Sequence, residues 1–257
     1  MKPINILVCV KRVPATGARI VLTEDEQAIN TRFLGFTVSP HEECAVEEAI
    51  RQIETHGGQS TVMTLGPEDA AEQLREALAM GMDEAILLQT DKDDWGPMPT
   101  ADALTEAIRA RQQEKGAFDV LLFGNESADN GGYQVGVRVA HALGLPCVTG
   151  IKGLEIQGNK AIARREASGG WEIYEVPLPA LFTVKEGISL PRYPSFKGKM
   201  SAKKKPMAQL RPDWKPSRLQ KIRLETPVVA TETATVLGKG PEAAPKIVQL
   251  LKEIGIV

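Results

Sequence analysis

Between residues 4 and 143 short apolar runs alternate with stretches of helical periodicity, and this rhythm constrains the fold more than any other feature. Runs at 4–10, 60–65, 84–88 and 118–123 have the length and apolar content of strands covered on both faces. Between the first two, Ser39-Pro40 opens a helix, with Ser39 as N-cap and Pro40 in the first turn. Glu42 and Glu43 lie near its positive dipole end, and Gly57-Gly58 stop it. A second helix runs from Gly66-Pro67 to Met80, a third over 100–115 and a fourth over 131–143. Such alternation means βαβ units with right-handed crossovers. The expected fold is α/β, an open and mostly parallel sheet with flanking helices. A chain of 257 residues can bury such a core without disulfide or metal.

The rhythm shortens after Pro146. Segments 151–156, 160–165 and 171–176, separated by Gln157-Gly158-Asn159 and Ser168-Gly169-Gly170, predict a small antiparallel meander followed by one more apolar strand at 180–184. Residues 14–37 are irregular, with extended pieces around 19–22 and 33–38. From Arg192 to Glu225 the charges are basic except for Asp213 and Glu225, and prolines recur at 194, 206, 212 and 216. A segment of this kind cannot bury enough apolar surface to order itself alone, so it is expected to be an arm that needs a partner. An amphipathic helix over 241–254 follows it.

In an open parallel sheet, ligands bind beyond the carboxyl ends of strands where strand order reverses. Loops leave such ends at Cys9–Arg12, at 65–67, at 89–94 and at 124–136. The last, Gly124-Asn125-Glu126-Ser127-Ala128-Asp129-Asn130-Gly131-Gly132-Tyr133-Gln134-Val135-Gly136, combines glycines and small polar side chains with a helix start near Gly131. Glycines let amides approach an anion, and the helix start adds partial positive charge. The spacing fits a phosphate, and equally a ligand-free glycine turn; it is neither a Walker loop nor a G-x-G-x-x-G fingerprint.

Here the pieces resemble a family. "ILVCVKRVP", "SPHEECAVEEAIR", "LGPEDAAEQLREALAMGMDEAILL", "DVLLFGNESADNGGYQVGVRVAHALGLP" and "LPALFTVKEGISLPRYPSFKGKMSAKKKP" are similar, in this order, to segments of electron-transfer flavoprotein β subunits. The resemblance implies a Rossmann-like, adenine-nucleotide-binding domain over 1–190, a partner-recognition loop over 191–206, and an arm with a helix over 207–257 that wraps an α subunit. It implies a heterodimer in which the α subunit holds most of one FAD and this chain buries an AMP. AMP contacts would fall on Cys9, on Ser39, Pro40, His41 and Glu42, on Leu65, and on the loop residues Asn125, Glu126, Ser127, Ala128, Asp129, Asn130, Gly131, Gly132, Tyr133, Gln134, Val135 and Gly136. Thr16 and His41 would face the flavin. Electrons would come from acyl-CoA or other flavin dehydrogenases and pass to a quinone oxidoreductase, with no catalytic residue and no metal in this chain. A branch of the family that bifurcates electrons carries a second FAD in place of AMP. The stretch "ADNGGYQVG" lacks the Asp-Gly-Asp-Thr pattern of that branch, so AMP is expected.

Several residues carry two readings. His41, beside Pro40 at a helix start, is either a hydrogen-bonding group for the ligand or a residue at a subunit seam. His141 is expected to pack. Cys9, Cys44 and Cys147 form no disulfide or zinc pattern and are expected to be inert thiols in a reduced, cytoplasmic protein. No apolar stretch reaches the ~20 residues of a membrane span, and no signal sequence is expected. Arg165 and Glu166 are either a structural pair or near the flavin. Phe196 either anchors a partner or packs under its own loop, with Tyr193, Met200, Lys203 and Lys204 as further partner contacts. The run Lys203-Lys204-Lys205 would steer an acidic partner; nucleic acid is disfavoured because few aromatics are interleaved for base stacking. Two rivals remain. An adenine-nucleotide hydrolase or ligase would need a glycine-serine loop where this chain has Lys11-Arg12-Val13-Pro14. A stress-type nucleotide-sensing module would not need the basic arm.

Overall fold

The computed structural model describes residues 3–15, 17–91, 95–216, 219–227 and 235–256. Its strands are β1 (Ile4–Cys9), β2 (Arg12–Pro14), β3 (Phe36–Val38), β4 (Gly58–Gly66), β5 (Glu84–Gln89), β6 (Val120–Gly124), β7 (Cys147–Gln157), β8 (Lys160–Ala167), β9 (Gly170–Pro177), β10 (Ala180–Val184) and β11 (Met207–Leu210). Its helices are α1 (Pro40–His56), α2 (Ala71–Met80), α3 (Pro97–Lys115), α4 (Val135–Leu143), α5 (Phe196–Ala202) and α6 (Ala244–Glu253).

Nine strands form one sheet in the order β11-β5-β4-β1-β6-β10-β7-β8-β9, and β2 pairs β3 in a separate antiparallel ribbon. The chain moves outward from β1 through β4 to β5, then returns past β1 to β6, so strand order reverses between β1 and β6. All pairings from β11 to β7 are parallel; β7, β8 and β9 are antiparallel. The expected α/β sheet is therefore present, and the meander is its continuation rather than a separate layer. The apolar strands are covered on both faces. Ala45, Val46 and Ala49 of α1, Leu74 and Leu78 of α2 and Ala202 of α5 pack on one side. Leu104 and Ile108 of α3 and Val139 of α4 pack on the other.

Four local expectations need correction. Ser39 starts α1, but its hydroxyl does not cap the helix. It donates to Glu126 O across the sheet at 3.5 Å. The fourth helix begins at Val135, not near Gly131, because Gly131 and Tyr133 both take left-handed backbone conformations (φ 54° each) that no helix continues. His141 is exposed rather than packed. Finally, the basic segment after Arg192 is not wholly an arm: 196–202 is helix α5 packed on α2, and 207–210 is an edge strand beside β5. The arm proper starts after Leu210. It is held to the domain by Lys215 to Glu106 (2.7 Å), by Gln27 Nε2 to Ile222 O (2.9 Å) and by Leu224 N–H to Glu26 O (2.8 Å). No residue of α6 is buried.

At the amino ends of the strands, opposite the loops that build the site, Glu84 lies buried on β5. Its carboxylate accepts from Thr61 Oγ1 (2.9 Å), from Arg111 Nε (2.8 Å) and from Lys115 Nζ (2.7 Å). Burial opposes its ionisation, but these three donors override it and hold the carboxyl below its usual range. A carboxyl held below its unfolded value stabilises the fold above that value and stops doing so as pH falls through its folded value. Arg111→Met is expected to lower stability at neutral pH by about 1–3 kcal/mol, because it removes one cationic partner of a buried carboxylate while Lys115 and Thr61 remain. Denaturant unfolding should show this gap narrowing in the acid range, where Glu84 protonates. A gap independent of pH would contradict it.

Candidate functional site

Strand reversal between β1 and β6 parts the loops that leave their carboxyl ends, and α1 starts between them. Three elements meet here. Glu42, in the first turn of α1, is 6% exposed and accepts the Lys11 N–H at 2.9 Å. Gly124, at the end of β6, must be glycine because a Cβ there would lie 2.5 Å from Glu42 Cγ. Lys11 Nζ crosses the gap to Asp129 Oδ2 at 2.5 Å. The Glu42 side chain thus fills the floor where β1 and β6 separate.

Burial raises the Glu42 carboxyl to about 8, against hydrogen bonds from Lys11 and Ser39 that favour the charged form. Burial also opposes ionisation of Asp129, but the Lys11 ammonium wins and holds it below the usual carboxylate range. Burial, with Glu42 nearby, pushes the Cys9 thiol far above its usual range, which makes it inert.

His41 sits on the rim. Its Nδ1 accepts the Glu186 N–H at 2.7 Å, which leaves Nε2 as the protonated nitrogen and directs it at Glu126 Oε1, 3.2 Å away. The ring therefore ties α1 to the loops after β6 and β10. Thr183 completes the support: its hydroxyl donates to Asn125 Oδ1 and accepts from Gly150 N–H, each at 2.9 Å. The Asn125 N–H reaches Val184 O at 2.9 Å.

The loop then turns into α4. The Gly131 N–H bonds Ser127 O at 3.0 Å, and Gly131 and Tyr133 are the left-handed pair that swings the chain round. No side chain caps α4, so its first-turn amides have no side-chain partner. Gly132 has no atom within 4 Å of where a Cβ would stand, whereas a Cβ on Gly136 would lie only 3.1–3.2 Å from Thr183 and Phe123. The arrangement gives a crevice with uncapped amides on one side, a lysine on the other and a neutral acid beneath. It suits a small anion carried by a larger ligand.

A family model described as the electron transfer flavoprotein domain matches residues 29–213. The chain belongs to this family. The electron transfer flavoprotein subunit beta of Bacillus subtilis (strain 168) is 39% identical over 209 residues, which cover 81% of this chain and 79% of that protein. Its namesake in Thermoanaerobacterium thermosaccharolyticum is 40% identical over 200 residues, covering 77% and 74%. The namesake in Mycobacterium tuberculosis (strain H37Rv) is 35% identical over 248 residues, covering 93% and 89%.

Electron transfer flavoprotein membership gives the expected site residues a frame. Ser39, His41 and Glu42 at the start of α1 lie against the strand end and loop after β6, through Ser39–Glu126, His41–Glu126 and Glu42–Gly124. Cys9 belongs to the floor only through its backbone, since its side chain is 4% exposed and packs in the core under α3. Leu65 lies beside β1 at the end of β4, half-buried against the same core. Ala128, Asn130, Gly132 and Gln134 are exposed, and Tyr133 is 57% exposed. Val135 is half-buried. Thr16 lies outside the described residues. Thr183 and Glu186 were not expected near the site, and Lys11 and Gly124, though in loops expected to carry a ligand, were not among the expected contacts. Lys11 was legible as the first charge after the first strand; the others are set by tertiary approach.

Arg165 and Glu166 are in structural pairs. Arg165 holds Glu172 and Tyr174, and Glu166 holds Lys152 at 2.8 Å. Of the lysine run, Lys205 is not free to steer a partner, because its Nζ caps the end of α2 at Leu78 O (3.0 Å) and Met82 O (2.6 Å). Lys203 and Lys204 are exposed, as are Tyr193 (97%), Phe196 (82%) and Met200 (51%). Phe196 therefore does not pack under its own loop.

Because Glu42 is raised to about 8, the folded state binds a proton that the unfolded state has released, and stability falls as pH rises from the ordinary carboxylate range to about 8. Glu42→Gln removes this dependence while keeping an acceptor for Lys11 N–H. Thermal unfolding at pH 5 and pH 9 should show the glutamine variant gaining on the wild type at the higher pH. An offset that does not change with pH would contradict the buried neutral acid.

Proposed function

We propose that this chain is the β subunit of a heterodimeric electron-transfer flavoprotein, with AMP in the crevice between β1 and β6 as a structural ligand and FAD held mainly by the α subunit. The observation that carries the AMP reading is the uncapped start of α4 behind the left-handed Gly131–Tyr133 bend, facing a loop that carries Lys11. In this reading the first-turn amides of α4 and the Lys11 ammonium hold the phosphate, and Ser127 and Asp129 lie within reach of the ribose end. Glu42 beneath is protonated near neutral pH, so it adds no like charge below the anion. The absence of an Asp-Gly-Asp-Thr pattern from the loop favours AMP over a second FAD.

The flavin supplies the electron-accepting chemistry, and this chain positions and shields it. His41, held on the rim by Glu186 and Glu126, is the group of this chain that meets the α-bound flavin in this reading. The exposed set Tyr193, Phe196 and Met200, with Lys203 and Lys204 beside it, forms the docking surface for a donor such as an acyl-CoA dehydrogenase. A quinone oxidoreductase takes the electrons onward. The arm and the exposed apolar residues Ile247, Val248 and Leu250 of α6 wrap the α subunit. Among the described residues no helix is long and apolar enough to cross a membrane.

Mass spectrometry of the small molecules released by acid from the purified complex is expected to find FAD and AMP; FAD without AMP would reject the structural-nucleotide reading. Phe196→Ala is expected to slow reduction by an acyl-CoA dehydrogenase about tenfold or more at low donor concentration, the loss of a buried aromatic anchor, with flavin content unchanged. Unaltered kinetics would remove the docking surface.

A further inference from the structure

Large apolar side chains on the 190–200 segment face solvent: Leu190 is 89% exposed, Tyr193 97%, Phe196 82% and Met200 51%. Were their backbone mobile, each would have to be ordered whenever a partner docked, at a cost in affinity. The backbone is instead fastened at both ends. At the near end Arg192 makes five hydrogen bonds to two glutamates of α1. Its N–H, Nε and Nη2 reach Glu47 at 3.1, 2.8 and 2.9 Å, and Nη1 and Nη2 reach Glu54 at 2.6 and 3.0 Å. Glu47 is 4% exposed, so this carboxylate needs a cationic partner. Only a guanidinium has the forked geometry to serve two carboxylates at once. Three residues earlier Ser189 Oγ donates to Cys44 O at 3.0 Å, also on α1.

At the far end α5 is bolted to α2. A Cβ on Gly198 would lie 2.4 Å from Ala79 O, so the two backbones touch. Arg75 on α2 donates to Ala202 O (2.6 Å) and Lys205 O (3.0 Å) at the end of α5, while Lys205 caps the end of α2 in return. The apolar side chains thus stand on a bridge between two fixed piers, α1 and α2.

We infer that Arg192 is a positioning residue, which clamps the 190–200 segment to α1 and presents Tyr193, Phe196 and Met200 to a donor protein in a preformed array. This deepens the docking reading given above and rests on it. A purely structural Arg192, serving only to neutralise Glu47, would affect overall stability without changing local exchange or donor binding when Glu54 alone is altered.

The test uses the complete flavoprotein complex with four variants: Arg192→Gln, Arg192→Lys, Glu54→Gln and Phe196→Ala. Glu54 is exposed, so its neutral variant removes the charge and one of the two bonds that Glu54 accepts from Arg192, without leaving a buried charge. Hydrogen exchange is read at residues 190–200, and reduction is followed against concentration of an acyl-CoA dehydrogenase supplied with its acyl-CoA. Arg192→Gln should speed exchange at these amides and raise the half-saturating donor concentration about tenfold, as expected for a lost preorganisation, with the rate at saturating donor retained. Glu54→Gln should move both in the same direction by less, and Arg192→Lys should restore part of the loss. Exchange and half-saturation at wild-type values in both Arg192→Gln and Glu54→Gln would overturn the clamp. If Phe196→Ala leaves half-saturation unchanged, the docking reading has failed instead, and exchange still reports on the clamp by itself.

Discussion

The reversal of strand order between β1 and β6 is the constraint on which the remainder of this structure depends. A right-handed crossover sends the chain one way from β1 to β4 and the next reversal sends it back to β6. The loops leaving β1 and β6 must then diverge, and something has to occupy the ground between them. Here it is the first turn of α1. Glu42 lies so close to Gly124 that no side chain fits there, and its carboxyl takes the Lys11 N–H. That contact fixes the distance between the β1 loop and the β6 loop, and with it the width of the crevice.

Polar groups around this floor are paired in a way that leaves few choices. His41 can satisfy Glu186 and Glu126 together in only one tautomer, and Thr183 spends both donor and acceptor on Asn125 and Gly150. The loop walls are consequently rigid up to Glu126. Beyond it the chain passes through exposed residues to the uncapped start of α4, where amides have no side-chain partner. The 190–200 segment is held in a similar way, with its exposed aromatics on a backbone tied to α1 and α2.

Much of this was legible in the sequence. The apolar runs at 4–10, 60–65, 84–88 and 118–123 are strands to within two residues, because strands covered on both faces need continuous apolar side chains. The glycines at 57 and 81 end α1 and α2 where expected, with positive φ. The start of α4 was misplaced by four residues since glycine-rich sequence looks alike whether it caps a helix or bends before one. Helix α5 and strand β11 were hidden by composition. The seven residues of α5 turn their apolar pair, Phe196 and Met200, to solvent, and what orders them is the Gly198–Ala79 approach and the Arg75 and Lys205 caps, which no local pattern displays. Among site residues, the loop from Asn125 to Gly136 announced itself by its glycines, but the Glu42–Gly124 contact and the Lys11–Asp129 bridge join positions far apart in the chain.

The central claim is a location as well as a ligand: an adenylate in the crevice between β1 and β6. Diffraction from crystals of the purified heterodimer addresses it without assumption. The account predicts electron density for a mononucleotide whose phosphate lies on the first-turn amides of α4 and near Lys11, above a Glu42 that still fills the space beside Gly124. Density showing only solvent there, or a nucleotide bound elsewhere on the chain, would contradict it.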